Sequence, residues 1–133
     1  RQVYNCGLVK TLTEMPLVFH YSKINLNITS KSIHDGLPLR IFDVLGCGGF
    51  LLTNYQTELA QWFTPGRDLE CYTGEDDLLE KVDYYLTHEK DRTEIAHNGY
   101  ETVKKYHNYP ERLLQMISLA YGISSGNDTE GVL

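Results

Sequence analysis

The stretch that most constrains this chain runs from Lys23 to Thr53, where an alternating run, a glycine-stopped helical pattern and a short apolar run follow one another. Lys23 to Thr29 sets Ile24, Leu26 and Ile28 at every second position with Asn25 and Asn27 between them, which predicts a strand with the three aliphatic residues inward. A polar loop, Ser30 to Gly36, leads to Pro38 at a first helical position. Leu37, Ile41, Val44 and Leu45 then share one face of a helix running to about Leu45. Gly46-Cys47-Gly48-Gly49 ends that helix as a C-cap and tight turn, and Phe50 to Thr53 reads as a short buried strand. Two strands joined through a helix pair in parallel, and a parallel sheet needs cover on both faces. The fold class expected is α/β, a Rossmann-like parallel sheet with helices on both faces.

The flanks extend this unit. Val3 to Val9 is rich in β-formers and reads as a strand, and Thr11 to Tyr21 as a helix that Thr11 or Thr13 caps. Gln56 to Phe63 predicts a short helix ended by Thr64-Pro65-Gly66, and Asp68 to Tyr72 a third short strand. After Cys71 the pattern is helical. Thr73-Gly74-Glu75-Asp76 resembles a capping box, with Leu78, Val82, Tyr85 and Leu86 on one face behind it. A helix over about Asp91 to His107 sets Ile95, Val103 and Tyr106 on one side, and Pro110 opens another with Leu113, Ile117 and Tyr121. Residues 1–123 are read as one domain and 124–133 as a flexible tail.

Composition narrows the function. No apolar run approaches the roughly 20 residues of a membrane span. The net charge of −6 is uneven, +2 over residues 1–67 and −8 over 68–133, and Lys104-Lys105 is the densest basic cluster, which argues against nucleic acid. Cys6, Cys47 and Cys71 are odd in number and sit in apolar sequence, so they read as buried thiols of a reducing, cytoplasmic compartment. The triplets Asn27-Ile28-Thr29 and Asn127-Asp128-Thr129 carry no weight as glycosylation sites there. The five histidines lack metal-ligand spacing, so no metal and no cofactor are expected. Arg1 stands where an initiator methionine would, and the chain is read as part of a longer polypeptide.

Sheets of this class bind ligands beyond the carboxyl ends of their strands, which points to the loop after the Lys23 to Thr29 strand. That loop enters a helix N-terminus, where backbone N–H groups and the helix dipole favour an anion such as phosphate. Asp43 lies about 200° around the helix from Ile41, so it faces away from the core. It is either a solvated acid or a carboxylate able to accept two hydrogen bonds from a vicinal diol such as a ribose. Asp35 is either a loop or cap acid or a functional one. Arg40 can meet phosphate or pair with Asp43 one turn away, and His34 reads as a loop histidine.

The ordered set Asp35-x7-Asp43, then Gly46-Cys47-Gly48-Gly49-Phe50-Leu51-Leu52-Thr53, then Phe63-Thr64-Pro65-Gly66-Arg67-Asp68, then Leu78-x3-Val82-x3-Leu86 resembles the C-terminal domain of group 1 (GT-B) glycosyltransferases. The resemblance is nearest to the CgeB-like, spore-maturation branch and spans roughly Met15 to Met116. It implies a partial GT-B C-terminal domain that binds a nucleotide diphosphate sugar and works with an N-terminal acceptor-binding domain of the same parent chain. It also implies a residue-level assignment: Asp43 on the nucleotide ribose, Asp35 near the donor sugar as the catalytic acid, and Gly36 to Leu39 beside the diphosphate, with Arg40 assisting. Both acids are Asp where many relatives have Glu, and the usual upstream basic residues are absent. The start of the family's C-terminal domain and its acceptor domain are not in this chain, so the chain alone is expected to show no transfer. The competing expectation is a non-catalytic α/β interaction or regulatory domain in which the same loop only caps a helix.

Overall fold

A computed structural model describes residues 5, 7–11, 13–29, 37–108, 110, 113, 114, 116 and 117. The element order is α1 (Met15–Tyr21), β1 (Asn25–Asn27), α2 (Leu39–Gly46), β2 (Leu51–Asn54), α3 (Leu59–Trp62), β3 (Glu70–Tyr72), α4 (Glu75–Thr87) and α5 (Glu89–Tyr106). The three strands form one parallel sheet in the order β1-β2-β3. Asn25 pairs with Leu51 and Asn27 with Thr53, while Thr53 pairs with Cys71. The expected α/β class is what the chain adopts.

The central strand is buried along its apolar length, as a strand covered on both faces must be. On one face Ile41, Val44 and Leu45 of α2 pack with Leu51, Leu59, Phe63, Leu69 and Cys71. On the other, Phe50 and Leu52 meet Tyr85 of α4 and Ile95 and Ala96 of α5. Lys81 and Tyr85 fasten α4 to β3: the Tyr85 hydroxyl donates to Glu70 Oε2 at 2.7 Å, and Lys81 Nζ bonds Glu70 Oε1 at 3.2 Å and the Cys71 carbonyl. Gly74 is the α4 N-cap and supplies no side-chain bond. Asp77 takes over the capping, accepting from the Thr73 N–H at 2.9 Å and the Thr73 hydroxyl at 3.2 Å.

Helix α5 crosses from one core to the other over the amino edge of the sheet. Ile95 and Ala96 lie in the α4-side core, whereas Val103 packs on the α2-side core. Gly99 marks the crossing. A Cβ there would stand 2.8 Å from Leu45 Cδ2 and inside contact distance of the Asp68 carbonyl. The buried Asp68 carboxylate accepts from the Thr64 N–H at 2.8 Å and the Thr102 hydroxyl at 3.0 Å, so loop and helix share one acceptor.

Several expectations need correction. Asn5 and Gly7 to Val9, the described part of Val3 to Val9, are not a strand but exposed irregular chain. The helix expected over Thr11 to Tyr21 begins only at Met15, and α3 is a single turn within Gln56 to Phe63. Pro38 is the N-cap of α2, with extended ψ of 134°, and the helix starts at Leu39. In β1 and just beyond it the expected sense of burial is reversed: Leu26 is 48% and Ile28 72% exposed, while Asn25 and Asn27 are half-buried. β1 is an edge strand, and α4 and α5 cover its Leu26 face only as far as Ile24. Leu86 and Tyr106 are also exposed, because each helix buries a narrower stripe than its apolar pattern suggests. Pro110, Leu113, Leu114, Met116 and Ile117 have helical backbone, and Tyr121 and the 124–133 tail lie outside the described residues.

Two outcomes follow. Gly99→Ala forces a methyl against backbone, and overpacking of this kind costs about 1–3 kcal/mol. Thermal melts should therefore show a clear loss for Gly99→Ala and near-neutrality for Gly46→Ala, whose Cβ meets only Val103 Cγ1 at 3.9 Å. Burial, then the Glu70 carboxylate, push the Cys71 thiol up from 9.0 to about 11, against an opposing pull from Lys81. The folded state holds that proton more tightly than the unfolded one, so the contribution is full below pH 9 and is lost as pH rises toward 11. Denaturant titrations should show stability falling over that window, with a shallower fall in Cys71→Val.

Candidate functional site

Strands β1 and β2 end side by side, and α2 begins at the same edge of the sheet because the chain passes from β1 into it. A polar network closes the strand ends. Asn27 Nδ2 donates to Thr53 Oγ1 at 3.1 Å and to Thr29 Oγ1 at 3.2 Å. Asn54 Oδ1 accepts from the Thr29 N–H at 2.8 Å, and Asn54 Nδ2 donates to the Thr29 carbonyl at 3.4 Å. Thr29 and Thr53 are buried, so these bonds form out of reach of most water. The strand pattern alone assigns none of these four residues a functional role. The signal available was a set of amides and hydroxyls at the end of otherwise apolar strands, and it gives the Asn27-Ile28-Thr29 triplet a structural use.

The Ile41 N–H closes the first turn of α2 on the Pro38 carbonyl at 3.0 Å, and the Leu39 and Arg40 N–H groups head the helix. Leu37 is half-buried against the core, and Leu39 is 79% exposed. Asp43 is exposed, on the side opposite buried Ile41, Val44 and Leu45, as its position in the turn requires. Arg40 leans on α1 rather than pairing with Asp43. Its guanidinium lies 5.3 Å from the centre of the Phe19 ring and Nη1 is 2.9 Å from Met15 Sδ. Asp35 and Gly36 lie outside the described residues.

The glycine turn behind α2 behaves as read. The Gly48 N–H bonds the Leu45 carbonyl at 2.9 Å with φ of +71°, and the Gly49 N–H bonds the Val44 carbonyl at 3.0 Å. A Cβ on Gly49 would lie 2.5 Å from the Phe19 carbonyl oxygen, so α1 and the turn meet through bare backbone. Burial first, and the Asp43 carboxylate second, push the Cys47 thiol up, which keeps it protonated and poorly nucleophilic.

Two clefts flank α5 at the opposite, amino edge. One, of about 410 Å³, is lined by His20, Cys47, Gly48, His97 and Tyr100 among others. There His20 Nδ1 donates to the Cys47 carbonyl at 2.9 Å. The other, of about 330 Å³, is lined by Arg67, Tyr84, Asp91, Glu94 and Asn98 among others. Asp91 is already engaged there by the Tyr84 hydroxyl at 2.6 Å. Among the described residues no group of three or more His, Cys, Asp or Glu converges as a metal set, and no helix is long and apolar enough to cross a membrane.

A family model described as glycosyl transferase-like matches residues 2–118, and the chain belongs to that family. No match is found among curated proteins or solved structures.

Proposed function

We propose, from membership of that family and the geometry of the carboxyl edge, that this chain is the donor-binding part of a glycosyltransferase of the CgeB-like GT-B branch. It takes a nucleotide diphosphate sugar, and the sugar passes to an acceptor held by an N-terminal domain of the same parent chain. The observation that carries the reading is Asp43: an exposed carboxylate on the outer face of a helix whose N-terminal turn stands at the ends of β1 and β2. A carboxylate can accept from both hydroxyls of a ribose, and the N–H groups at the head of α2 suit the diphosphate. Gly36, Leu37 and Leu39 supply backbone beside the phosphates, and Asp35 acts at the donor sugar. Arg40 must leave Phe19 to reach a phosphate, so its part is secondary. That engagement of Arg40 with α1 is what favours the second reading, a non-catalytic α/β domain.

Calorimetric titration of the chain with UDP, GDP, ADP and TDP tests this. One nucleotide should bind saturably, and Asp43→Asn should weaken it about tenfold or more, since charge-assisted hydrogen bonds contribute about 1.5–3 kcal/mol each. Thermal melts should be unchanged, because the Asp43 side chain lies outside the core. Wild-type affinity in Asp43→Asn would remove the ribose role, and no binding of any nucleotide would favour the non-catalytic reading. In the parent enzyme Asp35→Asn should lower kcat more than nucleotide affinity, as an interaction made mainly in the transition state does. Equal losses in both would assign Asp35 to ground-state binding.

A further inference from the structure

The cleft of about 330 Å³ at the amino edge lies near the small end of the range of about 300–1,000 Å³ for small-molecule sites, and three elements line it. Helix α5 gives Asp91, Glu94 and Asn98, which recur at i, i+3 and i+7 and so share one face, with Ile95 buried beside them. The loop before β3 gives Arg67, and α4 gives Tyr84. The corner where α4 meets α5 is fixed from several sides. Buried Arg92 donates from Nη1 to the Tyr85 carbonyl at 2.7 Å, and the Tyr84 hydroxyl donates to Asp91 Oδ2 at 2.6 Å. The Tyr84 ring stacks on His88 at 3.8 Å and meets Tyr85 edge-on at 5.0 Å, yet Tyr84 stays 43% exposed. Walls held in this way lose little freedom when a ligand enters.

Within that frame three polar groups are uncommitted. Among the described residues, neither the Glu94 carboxylate nor the half-buried Asn98 amide has a hydrogen-bond or ion-pair partner. The Arg67 side chain is 66% exposed and comes only within 3.9 Å of Asp68. Carboxylates call for donors, a guanidinium for an acceptor, and an amide for one of each. Two acids against one base disfavour phosphate here, and Arg67 disfavours a simple amine. A neutral ring bearing several hydroxyls meets every requirement, because each hydroxyl both donates and accepts, and its C–H bonds can rest on an aromatic side chain. We propose that this cleft is a carbohydrate-binding site for one neutral sugar residue, with Arg67, Glu94 and Asn98 bonding its hydroxyls and Tyr84 as an apolar wall. The cleft lies at the edge of the sheet opposite Asp43, so the inference does not rest on the donor reading.

The test is an NMR chemical-shift titration of the chain with the methyl glycosides of glucose, galactose, mannose, rhamnose and N-acetylglucosamine, beside inorganic phosphate and putrescine. At least one glycoside should move the signals of Arg67, Tyr84, Glu94 and Asn98 saturably, and neither ion should do so. Glu94→Gln removes a charge-assisted bond and should weaken that glycoside about tenfold, and Asn98→Ala about fivefold. Thermal melts of both should match wild type, since neither side chain holds a protein partner. Should Asn98→Ala fail to fold, Glu94→Gln, at an exposed position, carries the comparison. Wild-type glycoside affinity in the folded variants would overturn the assignment of these ligands. Glycosides that move no signal, or only those of Thr29 and Asp43, would overturn the site, and saturation of the cleft by phosphate or putrescine in place of any glycoside would overturn its carbohydrate class. None of these results bears on nucleotide binding at the carboxyl edge.

Discussion

The contact of Gly99 with the Asp68 backbone holds the two halves of this fold in one body. Helix α5 belongs to both cores, and it can pass between them only where a residue without a side chain lets it lie on the loop that enters β3. Asp68 makes the same crossing polar as well as close, since its buried carboxylate takes a backbone donor from Thr64 and a hydroxyl from Thr102. Removing one donor leaves a buried acceptor unsatisfied, so loop and helix are expected to stand or fall together.

That crossing divides the molecule by edge. The amino edge is occupied by α5 and by the glycine turn after α2, with Gly49 set against the Phe19 carbonyl. The carboxyl edge is finished by amides and hydroxyls: Asn27, Thr29, Thr53 and Asn54 satisfy one another at the place where parallel strands run out of ladder partners. A sheet end that is polar, rigid and followed by a helix N-terminus is suited to a charged, hydroxyl-rich ligand. On the proposed reading the outward Asp43 accepts from a pair of sugar hydroxyls rather than meeting phosphate.

How much of this the sequence disclosed depended on whether a residue's role was local. The strand-helix-strand unit, the glycine stop after α2 and the outward direction of Asp43 follow from periodicity and backbone sterics, and each stands in the structure as read. The inward sense of Leu26 and Ile28 failed because burial on an edge strand is set by how far the covering helices reach, a tertiary fact. Leu86 and Tyr106 are exposed because each helix buries a narrower stripe than its apolar pattern suggests. The Thr29 to Asn54 bonds join residues 25 apart, and no local pattern announces them. Arg40 engages Phe19 and Met15, a choice that depends on where α1 packs and that no local pattern announces. Asp35 and Gly36, read from a resemblance, fall outside the described residues.

On the proposed reading the nucleotide binds at the carboxyl edge of the sheet. Chemical-shift mapping of the chain during titration with the nucleoside diphosphate it binds tests that most directly. The account predicts the largest changes at Thr29, Leu39, Arg40, Asp43 and Asn54, with His97, Asn98 and Tyr100 on the far edge unmoved. Changes centred on His97, Asn98 and Tyr100, with the Thr29 and Asp43 signals still, would contradict it.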